Sequence, residues 1–305
     1  MVDAVRSFNR SVTERVGALE DRFLGRGRPL GEARLLWEIG DRGAEVRELR
    51  RRLELDSGYA ARLLRSLERQ GLVAIAPSPD DGRVRRARLT PAGQAERAEL
   101  ERRSEALAAS MLDPLSDGQR TRLVAAMADV ERLLVASMVR VAVEDPAGPD
   151  ARRCLERYFA ELDERFDAGF DPALSISADA RELTPPAGAL LLARLRREPV
   201  GCGAVKLRPD GSAELKRMWV APRLRGSGLG RRLLGELERH AAEAGARVLR
   251  LETNRALSEA VALYQRSGYR EVEAFNDEPY ADHWFEKRVP SWGARPALSR
   301  SRPSP

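Results

Sequence analysis

The stretch Lys216–Leu234, KRMWVAPRLRGSGLGRRLL, constrains this chain more than any other. A strand-like run ends at Ala221-Pro222, and the loop RLRGSGLG opens directly into an amphipathic helix. Glycines at 226, 228 and 230 leave backbone N–H groups unobstructed, and a helix N-terminus adds a dipole that favours anions. The pattern predicts a pyrophosphate cradle. A P-loop would carry Lys-Ser/Thr after its last glycine, whereas Arg231 follows Gly230, which excludes it. A Rossmann fingerprint would open a run of βαβ units, but here hairpin strands precede the loop.

The surroundings narrow the choice further. ARRCLERYFAELDERF reads as a helix. ALLLARL, PVGCGAVKL and AELKRMWVA read as strands, the last two joined by the hairpin turn RPDGS. After the loop come a helix ending at Gly245, the strand RVLRLETN, the helix SEAVALYQRSG and the final strands YREVEAF and HWFEKRV. Hairpin, VAP, glycine loop, helix, LETN strand and ALYQRSGY together resemble the GNAT acetyltransferases, from about residue 152 to 289.

The resemblance implies an α/β acyl-CoA N-acyltransferase fold and an acetyl-CoA site without a metal. The diphosphate is expected on the amides of Arg225, Gly226, Ser227, Gly228, Leu229 and Gly230. Backbone groups of Trp219 and Val220 are expected to hold the pantetheine, which inserts between two splayed parallel strands, with Asn254 a further contact. Tyr264 matches the general acid that protonates the leaving thiolate. A carboxylate can take the proton of the attacking amine. Glu214 and Glu252 are the alternatives for that base, or else each forms a salt bridge with Lys216 or Arg250. On the acceptor side, Tyr158 in the first helix and Phe275, Asn276, Tyr280 and Trp284 in the loop before the last strand suit a small amine or amino-acid-like acceptor.

The first half has a different grammar. Val5, Phe8, Val12, Val16, Leu19 and Phe23 form one apolar stripe at helical spacing. GEARLLWEIGDRG, AEVRELRRRLEL and SGYAARLLRSLERQGL read as three helices, the third capped by Ser57 with Asp56 before it and stopped at Gly71. LVAIAPS and VRRARLT then read as a two-stranded ribbon around the turn SPDDG, and two long helical segments follow, TPAGQAERAELERRSEALAASMLDPL and DGQRTRLVAAMADVERLLVASMVRVAV. Three helices and a charged ribbon are the order of a winged helix-turn-helix, which lays its third helix in the major groove and its ribbon on the backbone.

With DDGRVRRARLTPAG over the wing, residues 2 to about 143 resemble a MarR-family regulator. The resemblance implies a homodimer on double-stranded DNA, packed through Val5, Phe8, Val12 and the last helix. Ser57, Tyr59, Arg62 and Arg65 on the third helix, and Arg83, Arg85 and Arg86 on the wing, are the expected DNA contacts. Asp80 and Asp81 would repel phosphates and are expected to orient Arg83 by a salt bridge.

Composition excludes several classes. Hydrophobic residues make up 43% and charged residues 33%, as in globular proteins, and no apolar run reaches the roughly 20 residues of a membrane span. No secretory signal opens the chain, so a cytoplasmic protein without membrane partners is expected. Cys154 and Cys202, with His240 and His283, are too few and too scattered for a zinc cluster, and the thiols are expected in the core. The net charge of +6 owes half its excess to Arg295, Arg300 and Arg302 in the Pro/Ser-rich end. There is no internal repeat. The expected organisation is a mainly α winged helix-turn-helix domain over 1–144, a linker over 145–150 within EDPAGPD, an α/β domain over 151–289 and a disordered tail over 290–305. The reading is a DNA-binding regulator that also acetylates an amine. The alternative is a regulator whose second domain senses acyl-CoA or an amine without turnover.

Overall fold

The computed structural model describes residues 1–17, 23–78, 81–176 and 178–289. Leu19, Asp80 and the expected tail over 290–305 lie outside them. The chain divides into two compact units, residues 1–127 and residues from 128 on.

The first unit holds α1 (Val2–Arg15), α2 (Leu30–Ile39), α3 (Val46–Leu53), α4 (Ser57–Arg69) and α5 (Pro91–Leu112). α6 (Asp117–Met138) begins there and continues into the second unit. A small antiparallel sheet of β1 (Ala44–Glu45), β2 (Val73–Pro77) and β3 (Arg85–Leu89) has the order β1-β3-β2. α4 forms because Ala60, Leu63, Leu64 and Leu67 recur at three- and four-residue steps and are all buried. Leu63, Leu64 and Leu67 pack with Leu36, Leu49, Ala87 and Leu100 in one core.

Asp56, not Ser57, is the N-cap of α4: its Oδ1 accepts the Tyr59 N–H at 2.9 Å, while Ser57 is the first helical residue. Gly71, at φ +70°, ends the helix as expected, with the Leu72 N–H bonded to Leu67 O at 3.0 Å. Thr90 caps α5 by accepting the Gly93 N–H at 3.1 Å, with Pro91 at the first helical position. The α1 stripe is shorter than its period suggests. Val5, Phe8 and Val12 lie on α1 and are exposed, whereas Phe23 sits in a 3-10 turn and is buried edge-on against Trp37.

The second unit is built on a seven-stranded sheet of order β4-β5-β6-β7-β8-β10-β9. Its strands are β4 (Arg140–Glu144), β5 (Gly188–Leu195), β6 (Glu198–Leu207), β7 (Ser212–Val220), β8 (Val248–Thr253), β9 (Arg270–Val272) and β10 (His283–Arg288). Helices α7 (Pro149–Arg165), α8 (Leu229–Glu243) and α9 (Ser258–Arg266) complete it. Alternate residues of each strand feed two cores. One contains Leu190, Leu192, Cys202 and Ala204, the other Leu191, Val205, Leu249 and Leu251. Both cysteines are buried free thiols, and the Cys202 thiol is pushed up by its contact with Cys154 and by burial.

The run RVAVE departs from expectation. The last long helix stops at Met138, and Arg140–Glu144 pairs antiparallel with β5 from Arg140↔Arg194 to Glu144↔Leu190. Val139 is buried and Val141 half-buried while Arg140 and Ala142 are exposed, an alternation that suits an edge strand, and Arg194 fastens it through Glu144 and, at 3.2 Å, Asp150. Residues 140–144 therefore belong to the sheet of the second unit rather than to the terminal helix of the first. The break before α7 is the turn 145–148, closed by the Gly148 N–H on Asp145 O at 2.9 Å. Among the described residues no helix is long and apolar enough to cross a membrane, and none of the His, Cys, Asp and Glu groups could hold a metal ion.

Candidate functional site

Among the described residues β7 and β8 are the one parallel pair of the sheet, and they pair only at Ser212↔Val248, Ala213↔Leu249 and Glu214↔Arg250. Beyond Glu214 the strands part, while β7 stays bonded to β6 as far as Gly201↔Val220. The pairing of β6 with β7 shifts between Cys202 and Ala204, and Arg217 adopts φ +56° in this bulge. The parting strands open a cleft of about 620 Å³ lined by Trp219, Val220, Gly226, Gly228, Gly230 and Tyr264.

Gly226 and Gly228 have φ of +77° and +86°, a region other residues resist, and a Cβ at either would meet nothing within 4 Å. Their amides thus border open space at the N-terminus of α8, where an anion is favoured. The other loop residues hold the loop in place. The buried Ser227 hydroxyl donates to Leu224 O at 2.6 Å, and Leu229 lies in the core. Arg225 reaches α7: its Nη2 donates to Glu161 Oε1 at 2.6 Å and its Nε to Val220 O at 3.0 Å. Trp219 Nε1 donates to the same Glu161 at 2.8 Å. Burial pushes the Glu161 carboxyl up, but the bonds from Arg225 and Trp219 outweigh it and hold the group below its ordinary value.

A smaller pocket of about 100 Å³ adjoins the cleft, and both are walled by Tyr158, Leu162, Met218, Leu257, Ala260 and Tyr264. Glu252 lines it, and Lys216 Nζ bonds its Oε1 while its buried Oε2 has no hydrogen-bond partner among the described residues. Burial raises the Glu252 carboxyl pKa, and Lys216 only partly offsets it. Glu214 is also buried, but its Oε1 accepts Arg208 Nε at 2.7 Å and it is not part of the pocket wall. Tyr264 is 5% exposed, its hydroxyl bonds no described residue, and burial raises its pKa so that it stays protonated.

A model of the Acetyltransferase (GNAT) family matches residues 150–269, and one of the MarR family matches residues 26–84. The chain joins a MarR family domain to a GNAT acetyltransferase domain. Over 103 residues it is 39% identical to a protein named IAA acetyltransferase from Azospirillum brasilense, a match covering 33% of this chain and 66% of that protein. Over 102 residues it is 32% identical to an uncharacterized N-acetyltransferase of Schizosaccharomyces pombe, covering 32% and 62%. The chain thus spans a little under two thirds of the length of these two relatives. Among solved structures, an acyl-CoA N-acyltransferase from Klebsiella pneumoniae aligns at 29% identity and a TM-score of 0.40, over 50% of this chain and 98% of that one.

In the GNAT domain the structure gathers Glu252, Tyr264, Tyr158 and Tyr280 around the pocket. Asn254 also lines the pocket rather than the cleft. Its Nδ2 donates to Tyr280 O at 2.8 Å and its Oδ1 accepts the Ala256 N–H at 2.8 Å, so it braces the loop before β10. Phe275, Asn276 and Trp284 stand apart from the wall: Phe275 packs under Arg250, and Asn276 accepts Trp284 Nε1 at 2.8 Å. Sequence reasoning missed Arg217, Glu278 and the rings of Phe159, Phe166 and Phe170, all on the pocket wall. The signal available was a Lys-Arg pair inside a central strand, where apolar residues are expected.

In the MarR domain, Ser57, Tyr59, Arg62 and Arg65 lie together on the exposed side of α4, with Arg62 over the Tyr59 ring at 5.6 Å. Arg83 and Arg85 are exposed on the wing. Arg86 is half-buried instead, its Nη2 donating to Arg42 O at 3.0 Å, which ties β3 to the turn before β1. Asp81 accepts the backbone N–H of Arg83 at 2.9 Å rather than forming the expected salt bridge, and Asp80 lies outside the described residues.

Proposed function

We propose that the GNAT domain transfers the acetyl group of acetyl-CoA to an amine, and that the MarR domain binds double-stranded DNA as a homodimer. The observation that carries the first part is the meeting of cleft and pocket at Tyr264, with Glu252 on the pocket wall. The open space beside Gly226 and Gly228 and the unpaired edge of β7 fit a pyrophosphate and an extended pantetheine arm. When bound, acetyl-CoA supplies the acetyl thioester.

Glu252 Oε2 accepts the proton of the acceptor amine as nitrogen bonds to the acetyl carbon. The Tyr264 hydroxyl donates its proton to sulfur as the carbon–sulfur bond breaks. Burial suits both roles, since it keeps the tyrosine protonated and makes the carboxylate a stronger base. Glu214, bonded to Arg208 and set behind Lys216, supports that pair electrostatically. The relative named IAA acetyltransferase supports acetyl transfer.

For DNA, the supporting observation is the exposed Arg62 and Arg65 on the helix that a winged helix-turn-helix lays in the major groove, flanked by Arg83 on the wing. For the dimer it is the exposed apolar face of α1, with Val5 58%, Phe8 47% and Val12 40% accessible. The deciding experiment for the enzyme is release of free CoA thiol from acetyl-CoA across a panel of amines. Acceptor-dependent release that is lost in Tyr264→Phe establishes transfer. Acetyl-CoA binding with no release for any acceptor would leave a sensor.

A further inference from the structure

Building on the acetyl-transfer reading above, we infer that the acceptor is an amino acid with an apolar or aromatic side chain, whose carboxylate binds the Arg217 guanidinium while its amine faces Glu252. Of the two cations on the pocket wall, Lys216 bonds Glu252 and Arg217 does not. Lys206, Arg208, Arg225 and Arg250 each pair with a carboxylate, from Glu182, Glu214, Glu161 and Glu286 respectively. Arg217 is half-buried on the pocket wall and has no carboxylate partner among the described residues. Its contacts are one bond from Nη2 to Ala178 O at 2.6 Å and the face of Phe159 at 5.8 Å.

A guanidinium carries five N–H donors, so most of its capacity is unused. Burial pulls its pKa down, although a guanidinium remains charged in protein. An uncompensated buried charge is costly, and so is the positive φ at Arg217. A bound carboxylate would offset the first of these with a bidentate pair.

The amine end is equally specified. Glu252 Oε2 is buried and unpartnered on the same wall. Tyr158 is on the same wall, where burial raises its hydroxyl pKa first and Tyr264 adds to the shift. Opposite charges in one pocket of about 100 Å³ match a zwitterion. The rest of the wall is aromatic. Phe159 stacks on Phe170 at 5.7 Å, and Phe170 meets Tyr280 at 4.7 Å. That surface suits an apolar or aromatic side chain. Glu278 fixes a neighbouring segment of the wall, its Oε2 accepting the Ile176 N–H at 2.7 Å and the Ser175 hydroxyl at 3.0 Å.

The test uses the full chain with acetyl-CoA and matched triplets of an L-amino acid, its amide and its decarboxylated amine, such as phenylalanine, phenylalaninamide and phenethylamine. Thiol release should favour the free acid over its two partners by roughly 30-fold or more, the scale of a charged pair. In Arg217→Gln that ratio should collapse toward one, and in Arg217→Lys it should fall between. Equal kcat/KM across a triplet in the wild type, or a ratio unchanged in Arg217→Gln, would overturn the proposal. If Arg217→Gln fails to fold, the wild-type ratio decides alone. Calorimetry of the same triplets on CoA-loaded protein separates the two readings. Carboxylate-dependent binding without thiol release keeps the Arg217 site and rejects acetyl transfer, whereas no carboxylate dependence in either assay rejects the Arg217 site.

Discussion

The candidate sites of the two domains carry charge in opposite ways. In the GNAT domain Lys216, Glu214, Glu252 and Glu278 are each buried and line or back a concave site. In the MarR domain Arg62, Arg65 and Arg83 stand on the solvent side of a helix and a wing. Buried charges act at short range in a low dielectric, so each is positioned by named partners and each loss is felt strongly. Exposed charges are screened and act as a sum, each worth little alone. The first arrangement suits chemistry at one atom, and the second suits a long polyanion. Substitutions should therefore have steep, residue-specific effects in one domain and shallow, additive, salt-dependent effects in the other.

The steepest effect is expected at Glu252. Glu252→Gln should lower kcat by about 10²- to 10⁴-fold, and Tyr264→Phe by about 10²-fold, with acetyl-CoA affinity little changed in both. The pH profile adds a sign. Because burial raises the Glu252 pKa, kcat/KM should fall with decreasing pH through a value above the ordinary glutamate range. Below it the carboxyl is protonated and cannot accept the amine proton. Glu252→Gln should abolish this acid limb. A limb that persists in the variant would place the base elsewhere.

Next in size is the glycine loop. Gly228→Val should weaken acetyl-CoA binding by roughly 30- to 100-fold, since a side chain would enter the anion space and displace charged hydrogen bonds. Backbone strain alone could mimic this, and Gly245 separates the two. It has φ +89° and open space at its Cβ, but it lies beyond the far end of α8. Gly245→Ala and Gly228→Ala should destabilise the fold similarly, by about 1–2 kcal/mol, while Gly245→Ala leaves acetyl-CoA affinity unaltered. Equal weakening of affinity in both, measured by calorimetry beside thermal unfolding, would reduce the loop to a structural turn.

These contrasts also explain what the sequence disclosed. Gly226 and Gly228 were legible because a backbone conformation excludes other residues locally, and Gly71 because a helix stop acts within one turn. RVAVE was not, since Met138 and Val141 fit a helical period as well as Val139 and Val141 fit a strand. Its partner β5 lies some fifty residues on, beyond any local signal. Arg217 and Glu278 were illegible for the same reason in another form. Whether an arginine has a counter-charge depends on which carboxylates the fold brings near it. The preference for Glu252 over Glu214 as the proposed base rests on the pocket wall, which forms only where distant segments of the chain meet.

In the MarR domain the same argument predicts smaller effects. Arg62→Ala combined with Arg83→Ala should weaken DNA binding and reduce the slope of log K against log salt by about 0.9 for each phosphate no longer neutralised. An unchanged slope would remove these residues from the interface.

The smallest and sharpest test lies within the wing. Arg83, Arg85 and Arg86 look equivalent in sequence, yet Arg86 is bonded to the carbonyls of Arg42 and Gly43 at 3.0 and 3.4 Å. It is already committed to holding β3 against the preceding turn. Arg86→Ala should therefore cost about 1 kcal/mol of stability and leave the salt slope intact, whereas Arg83→Ala should do the reverse. If Arg86→Ala also flattens the slope, the guanidinium leaves its carbonyls for phosphate when DNA binds. In that case the wing rearranges on binding, and the division between fixed interior charges and free surface charges would not hold at this position.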